Sequence, residues 1–386
     1  MAKRKICVVT GSRAEYGLLK NLMMELQARN DITLQVLATG MHLVSEFGMT
    51  VNEILTDGFA VDARVASQAA SDAAEGMAKS LGAGVTGCTD AFQVLKPDIV
   101  VVLGDRYEIL AATMAAALLG IPVAHISGGE VTEGAVDDWI RHAITKASWW
   151  HFVATEPYRK RVIQLGEAPE RVFNVGDPGL DSITNIVTIS RAELEQDLRL
   201  SLQTPLFLVT YHPSTLGSAA PGTSFGHLLS ALDHCPRATV ILTGSNADAG
   251  GRTLTKMAED WAKANAKRAY FAATLGQRRY LSLMRYADAV IGNSSSGIVE
   301  APAMKVATVN IGPRQDGRLR ASSIVDCAEE ESAIIAAIEA VMSPGFQATL
   351  KETISVYGEA GASARMAELL EKLHLPQQLR KTFYDA

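Results

Sequence analysis

The sequence lacks the cysteine patterns of disulfide-rich and zinc-binding proteins. Its four cysteines are far apart and form no C-x-x-C pair: Cys7, Cys88, Cys235 and Cys327. Without that spacing, neither a zinc site nor a disulfide framework is predicted, and a reducing cytoplasm is the expected compartment. The chain also contains no D-x-D pair and no cluster of histidine and cysteine. No bound metal is therefore expected.

The chain also lacks the charge and the aromatic side chains of a nucleic-acid-binding protein. Its formal net charge is −6, its isoelectric point is near 5.8, and only 6% of its residues are aromatic. Neither a positive surface for phosphates nor a stacking platform for bases is predicted. Ile6–Val9, the apolar run after the basic start, is too short for a signal peptide or a membrane span. Nucleic acid and membranes are not expected partners.

The sequence is rich in apolar, strand-like runs that alternate with amphipathic, helix-like segments. A chain of 386 residues exceeds what one hydrophobic core usually serves, so two domains are expected. The first half predicts six continuously apolar strands, typical of a sheet covered on both faces: Ile6–Val9, Leu34–Ala38, Ile99–Leu103, Val123–Ile126, Phe152–Ala154 and Val172–Val175. The second half predicts four more: Leu206–Thr210, Thr239–Leu242, Ala289–Ile291 and Ala307–Ile311.

This alternation predicts an α/β fold with two Rossmann-like, doubly wound parallel sheets that face a central cleft. A polar stretch over residues 182–202 separates the two alternating patterns. We therefore expect an amino-terminal domain over 1–182 and a carboxyl-terminal domain over 183–365. A last helix and tail over 366–386 can pack back on the first domain.

Two well-known motifs do not apply to this chain. Residues 82–87 read G-x-G-x-x-G, but no strand precedes them, so they predict a flexible or close-packed helix rather than a dinucleotide site. None of Ser294, Ser295 and Ser296 lies in a G-x-S-x-G pattern, which disfavours serine hydrolase chemistry. No nicotinamide or other cofactor is expected.

Polar side chains follow the first and third predicted strands. The turn Gly11-Ser12-Arg13 can receive a phosphate, or it is a helix N-cap followed by a solvated arginine. At the end of the third strand, Asp105 can accept a proton while Arg106 binds an anion, or the two form a local ion pair.

A denser cluster follows the fourth strand. Glu130 comes directly after Gly128-Gly129, and Asp137 and Asp138 begin the next helical pattern. Backbone N–H groups favour carboxylates in a first helical turn, so both aspartates can be simple caps. Arg141 lies one turn after Asp137, and we expect it to pair with that carboxylate and keep it ionised as a base.

Two strand ends in the second half complete the set. His212 follows the first of these strands, although a lone histidine is more often structural than catalytic. The small residues 294–297 follow a later strand and suit a diphosphate, and Glu300 can accept hydrogen bonds from ribose. The alternative for that segment is a plain helix N-terminus. Asn246 and Asp248 form either a site segment or a plain turn.

Taken together, these motifs resemble the hydrolysing UDP-N-acetylglucosamine 2-epimerases of bacterial sialic-acid-type sugar synthesis. The resemblance runs in order from the first strand to about Arg318 through these stretches: GSRAEYG, GDRYE, HISGGEVTEGAVDDWIRHAITK, YHP, NADAG, GNSSSGIVEAP and IGPRQDGR. It implies a glycosyltransferase-B-like fold, a UDP-sugar in the cleft and chemistry without metal or nicotinamide. A homo-oligomer, dimer or tetramer, is the expected assembly.

The resemblance also implies a reaction and its residues. A base removes the proton on sugar carbon 2 as UDP leaves carbon 1, and water then adds to the glycal to release an N-acetylmannosamine-type sugar. The implied acid-base residues are Asp105, Glu130 and Asp137, with His212 near the diphosphate. The implied substrate-binding residues are Arg13, Arg106, Arg141, Asn246, Asp248, Ser294, Ser295, Ser296, Gly297, Glu300 and Arg314.

One departure from the family pattern concerns the catalytic glutamate. Many relatives place it directly after the His-x pair, where this chain has Ser127, so the role passes to Glu130. Three alternatives stay open at this point: the same reaction on the UDP-linked 2,4-diacetamido-2,4,6-trideoxy sugar, a UDP-sugar glycosyltransferase of the same fold, and a nucleotide-sugar sensor without catalysis.

Overall fold

The computed structural model describes residues 3–45, 48–67, 74–132, 137–213, 221–245 and 251–385. The chain divides into two units. The first consists of Met1–Glu130, Asp137–Ser182 and Tyr357–Ala386. The second consists of Val131–Val136 and Ile183–Val356. Residues Tyr357–Ala386 thus belong with the first unit.

Each unit is built on one parallel sheet. The first sheet has seven strands: β1 (Arg4–Thr10), β2 (Ile32–Thr39), β3 (Ala63–Val65), β4 (Ile99–Leu103), β5 (Val123–Ile126), β6 (Trp150–Val153) and β7 (Val172–Asn174). The second sheet has six: β8 (Leu206–Thr210), β9 (Thr239–Thr243), β10 (Ala269–Ala272), β11 (Ala289–Gly292), β12 (Ala307–Ile311) and β13 (Ile324–Cys327). The predicted α/β class with two doubly wound parallel sheets is confirmed.

Helices connect the strands of both sheets. In chain order the first eight are α1 (Arg13–Gln27), α2 (Val51–Thr56), α3 (Ala74–Leu95), α4 (Tyr107–Leu118), α5 (Asp137–Ala147), α6 (Glu156–Gln164), α7 (Gly179–Asn185) and α8 (Arg191–Leu198). The others are α9 (Pro221–Asp233), α10 (Gly251–Ala264), α11 (Gln277–Tyr286), α12 (Glu300–Ala303), α13 (Glu331–Met342), α14 (Pro344–Thr349) and α15 (Ala362–Lys372).

The apolar strands supply a core on each face of their sheet. Successive side chains of a strand point to opposite faces, and in β1 Ile6 and Val8 join one cluster while Cys7 and Val9 join the other. The second sheet likewise has two clusters, with Val209 in one and Leu208 in the other. Burial on both faces explains why these strands are continuously apolar instead of alternating.

The glycine-rich segment at residues 82–87 lies inside α3, in agreement with the sequence analysis. A side chain at Gly84 would lie 2.9 Å from the Cβ atom of Ala111, and one at Gly87 would lie 2.6 Å from a methyl group of Val65. These glycines therefore let α3 pack closely on its neighbours. They do not form a nucleotide-binding turn.

The carboxyl-terminal segment packs on the first sheet. Met366, Ala367 and Leu370 of α15 lie in the cluster beneath α1. The carboxylate of Asp181 accepts hydrogen bonds from the backbone N–H groups of Ala362 at 3.1 Å and Ser363 at 2.7 Å, which satisfies donors at the start of α15. The last helix is thus part of the first unit.

Within the described residues, no single helix combines the length and the apolarity that a membrane span requires. The bent pair Glu331–Met342 and Pro344–Glu352 passes that test together on length and composition only. In α13, Ile334, Ile338 and Val341 are buried in the core of the second unit.

Candidate functional site

The strand order of the first sheet places several candidate residues at one edge. The order is β3-β2-β1-β4-β5-β6-β7, so the connections run in opposite directions from β1 and from β4. In such sheets, ligands bind beyond the carboxyl ends of the two strands where the direction reverses. Arg13 follows β1, and Asp105 and Arg106 follow β4, at that reversal point. We call this edge the first switch edge.

At the start of α1, Ser12 is an N-cap and Arg13 is the first helical residue. The hydroxyl of Ser12 accepts a hydrogen bond from the backbone N–H of Glu15 at 3.4 Å. The Nε atom of Arg13 lies 2.9 Å from a carboxylate oxygen of Glu53, and both side chains are partly exposed. The N-cap predicted as an alternative is present, and it holds the arginine at the switch edge.

The structure shows a charged partner for Asp105 and another for Arg106. Asp105 pairs with Arg141, whose side chain is 2% exposed, and the Nε atom of Arg106 donates to Glu108 at 2.7 Å. Arg141 compensates the charge of Asp105 and connects the end of β4 to α5. The expected pairing of Arg141 with Asp137 stays a prediction.

Asp137 and Asp138 lie in the first turn of α5, as expected from the sequence. The carboxylate of Asp138 lies 3.6 Å from the Nε2 atom of His142, one turn later. Burial lowers the pKa of His142, although the charge of Asp138 opposes that shift.

A buried histidine fixes the turn that precedes Glu130. The Nε2 atom of His125 lies 2.8 Å from the carbonyl oxygen of Gly104, so Nε2 carries the proton and donates. Its Nδ1 atom lies 3.1 Å from the hydroxyl of Thr145 on α5. Burial lowers the pKa of His125 to about 3, which leaves a neutral ring that joins β4, β5 and α5. His125 is therefore structural.

The turn itself needs unusual backbone angles. Ser127 has φ of 65° and Gly129 has φ of 78°, both in the left-handed region. A side chain at Gly129 would collide with the carbonyl oxygen of Tyr158, so only glycine fits. The turn buries Glu130, which is 4% exposed.

The second sheet has its own reversal point. Its order is β10-β9-β8-β11-β12-β13, and the connections reverse between β8 and β11. His212 follows β8, and Asn293 and Ser294 follow β11. We call this edge the second switch edge.

Asn293, which the sequence analysis did not single out, links the parts of the second switch edge. Its side chain is fully buried, accepts from the backbone N–H of His212 at 2.7 Å and donates to the carbonyl of His212 at 2.8 Å. Its own carbonyl accepts from Arg314 at 3.1 Å and from Gln315 at 2.8 Å. Burial, assisted by the charge of Arg314, lowers the pKa of His212 well below its usual value.

The serine segment forms a short 3-10 turn over Ser295–Gly297, capped by Ser294. The hydroxyl of Ser294 accepts from the backbone N–H of Ser296 at 3.4 Å, and the Ser296 hydroxyl lies 2.6 Å from that of Tyr280. Glu300 begins α12, and burial raises its pKa. The segment therefore collects serine hydroxyl groups at the end of β11.

Asn246 and Asp248 lie outside the described residues, so their role stays a prediction. In the part of the chain that the structure describes, no three histidine, cysteine, aspartate or glutamate side chains are grouped as a metal ion would require. All four cysteines are free.

Comparison with known proteins identifies the family. Residues 24–371 match the family described as UDP-N-acetylglucosamine 2-epimerase. The chain is 44% identical to a Campylobacter jejuni protein named GDP/UDP-N,N'-diacetylbacillosamine 2-epimerase (hydrolyzing), over 84% of this chain and 85% of that protein. It is 35% identical to the Legionella pneumophila UDP-N,N'-diacetylbacillosamine 2-epimerase (hydrolyzing), over 97% and 98% of the two chains.

Solved structures share the fold. The Methanocaldococcus jannaschii UDP-GlcNAc 2-epimerase in complex with UDP-GlcNAc and UDP is 18% identical, with a TM-score of 0.77 over 95% of this chain and 99% of that one. The fold is thus that of a two-domain α/β enzyme with reversal points at which nucleotides commonly bind. The chain belongs to the UDP-N-acetylglucosamine 2-epimerase family.

Proposed function

We propose that this enzyme is a hydrolysing 2-epimerase that converts a UDP-linked 2-acetamido sugar into the free manno-configured sugar and UDP. The observation that carries the proposal is the Asp105–Arg141 pair at the first switch edge, in a chain of this family. It provides a carboxylate in a fixed position at a strand end, next to Arg106 as an anion-binding group. Both relatives compared above also bear the word hydrolyzing in their names.

The proposed chemistry divides the work between the two switch edges. The hydrogen on carbon 2 is weakly acidic, so a base must remove it while the bond from carbon 1 to the UDP oxygen breaks. We assign the acid-base steps to Asp105, Glu130 and Asp137. Donors are also needed for the charge that develops on the leaving UDP. His212 and the serine segment of the second switch edge, with Arg314, are assigned to that task.

Water completes the reaction. Elimination gives UDP and a glycal with a double bond between carbons 1 and 2. A carboxyl group then gives a proton to carbon 2 on the opposite face, and a water oxygen bonds to carbon 1 as that water gives a proton to a carboxylate. The sugar is thereby released with inverted configuration at carbon 2. The net reaction consumes one water molecule and needs no change of oxidation state.

The names of two relatives support a choice between the candidate substrates. We propose UDP-N,N'-diacetylbacillosamine, a 2,4-diacetamido-2,4,6-trideoxy sugar, as the preferred substrate, because the two relatives at 44% and 35% identity carry that name. The second candidate is UDP-N-acetylglucosamine, which the family description names and which the M. jannaschii enzyme binds.

Incubation of the enzyme with each UDP-sugar, followed by proton NMR, tests both parts of the proposal. We expect free UDP and a free manno-configured sugar, formed faster from the diacetamido substrate. An epimer that still carries UDP would show a non-hydrolysing enzyme, and UDP release without epimerisation would show simple hydrolysis or glycosyl transfer. Light scattering of the same preparation tests the expected dimer or tetramer.

A further inference from the structure

Two buried acids at the first switch edge have no part in the chemistry proposed above. Glu15 lies in the first turn of α1 and Glu108 in the first turn of α4, and they are 6% and 2% exposed. Both lie against Gly11, the first residue after β1. The backbone N–H of Gly11 donates to Glu15 at 2.7 Å, and a side chain at Gly11 would come within 2.5 Å of the Cγ atom of Glu108.

The two acids are not equally compensated. The Nε atom of Arg106 donates to the Oε1 atom of Glu108 at 2.7 Å, and the Arg106 side chain is 21% exposed. In the described part of the chain, Oε1 of Glu15 and Oε2 of Glu108 are buried without a hydrogen-bond partner. Burial, followed by the charge of Glu108, raises the pKa of Glu15 to about 8. At neutral pH Glu15 therefore keeps its proton, and the carboxyl group of Glu108 is the one that contacts Arg106.

This arrangement does not favour folding. A buried ion pair repays its desolvation only where every remaining lone pair is hydrogen-bonded, and here one oxygen of each carboxyl group is not. Replacement of a whole buried ion pair by apolar groups of similar volume is often neutral or stabilising. A role in ligand binding explains why the acid is present.

We propose that Glu108 is a positioning residue that fixes the guanidinium of Arg106 for the diphosphate of the UDP-sugar. A guanidinium has five N–H donors in a planar fork, so a contact at Nε sets its plane without using the donors of its two terminal nitrogen atoms. Fixing a flexible side chain before the ligand arrives reduces the entropy that binding must overcome. This inference rests on the proposed function for the identity of the ligand.

The sign of the effect separates positioning from simple electrostatics. Glu108 adds negative charge close to a site for an anion, so without a positioning role the variant Glu108→Gln would bind UDP more tightly. If Glu108 orients Arg106, the same variant binds UDP about tenfold more weakly, equivalent to about 1.4 kcal/mol. Because the Arg106 side chain is 21% exposed, water can solvate its guanidinium in this variant, and we expect only a small change in the unfolding midpoint.

The test is isothermal titration of UDP into wild type, Glu108→Gln, Glu108→Asp and the matched control Glu53→Gln. Glu53 is the carboxylate partner of Arg13 at the same edge, but its side chain is 42% exposed, so its pair contributes little. We expect binding within twofold of wild type for the control. Glu108→Asp keeps the charge but withdraws it from Nε, and it also weakens UDP binding.

Each result has one interpretation. Weaker binding of Glu108→Gln and Glu108→Asp at unchanged stability supports the proposal, as does an increase in KM with little change in kcat. Unchanged or tighter binding of Glu108→Gln overturns it, and so does a loss of binding that is matched by Glu53→Gln. Failure of the wild type to bind UDP would instead refute the proposed function.

Discussion

The buried carboxyl group of Glu15 predicts how the stability of the first unit depends on pH. In the unfolded chain its pKa has the usual value of 4.5, whereas in the folded chain the pKa is about 8. Between these values the folded state holds a proton that the unfolded state has lost. Stability therefore falls as pH rises through this window and changes no further above it.

The variant Glu15→Gln removes this dependence. One pKa unit is worth about 1.4 kcal/mol, so the shift sets an upper limit of about 5 kcal/mol. Relaxation and water entry around the charged group reduce the penalty in real proteins, and we expect a gain of about 2 kcal/mol at pH 8.5. Near pH 5 the gain is close to zero, because the wild-type side chain is then neutral in the folded state.

Urea unfolding at pH 5, 6.5 and 8.5 measures the difference between variant and wild type. Three of the four tryptophans, at positions 139, 149 and 150, belong to the first unit, so tryptophan fluorescence reports mainly on its unfolding. Buried histidines titrate equally in both proteins and cancel in the difference. The control Glu25→Gln changes another glutamate of α1. A difference between Glu15→Gln and wild type that does not grow with pH would show that the folded state does not hold the extra proton on Glu15.

Three further variants test other parts of the structure. Asn293→Ala removes the side chain that bonds the backbone N–H and carbonyl groups of His212, and it should weaken UDP binding about tenfold in calorimetry. The control Asn310→Ala, at a buried position on β12, should bind UDP as the wild type does. Equal effects of the two variants would contradict a role of Asn293 in the UDP site. Arg141→Met removes the charged partner of Asp105, so it should lower the free energy of unfolding by about 3 kcal/mol and abolish turnover. Unchanged turnover would show that the ion pair has no part in catalysis. In the wild type, the Nζ atom of Lys381 lies 2.6 Å from the carbonyl oxygens of Lys146 and Ser148 at the end of α5. Lys381→Met removes these hydrogen bonds and should speed amide hydrogen exchange at the end of α5. Unchanged exchange would show that this contact of the tail does not stabilise α5.

Much of the fold could be predicted because the information is local. Ile99–Leu103, Val123–Ile126, Leu206–Thr210 and Ala307–Ile311 were predicted with the bounds that the structure has. These strands are mostly apolar and buried throughout because both faces of the sheet are covered.

Three strands were missed, and each lies at an edge of its sheet. β3 has the sequence ARV and β13 has IVDC, so their apolar runs are too short to predict a strand. β10 has the sequence AYFA, in which three of the four residues are only partly buried. Strands at the edge of a sheet have a neighbour on one side only, and these three contain partly exposed residues. Their sequences are therefore less uniformly apolar than those of the central strands.

The candidate site was predictable where polar residues directly follow apolar strands, as with Asp105 and His212. Its internal pairing was not. Helical spacing suggested that Arg141 pairs with Asp137, and that pairing stays a prediction. The contact of Arg141 with Asp105, which depends on how α5 packs beside β4, was not predicted. The motifs GDRYE and GNSSSGIVEAP contain Glu108 and Asn293, but the sequence predicted no role for these two residues. Their burial arises only when β1 pairs with β4 and β8 pairs with β11.

In the proposed reaction, carboxylates of the first switch edge remove and return the proton on carbon 2 while UDP leaves. The deuterium content of the sugar released in deuterated water measures this step. We expect one deuterium at carbon 2 of the manno-configured product, and loss of this product in the variant Asp137→Asn. Release of UDP together with a sugar that has only hydrogen at carbon 2 would contradict it.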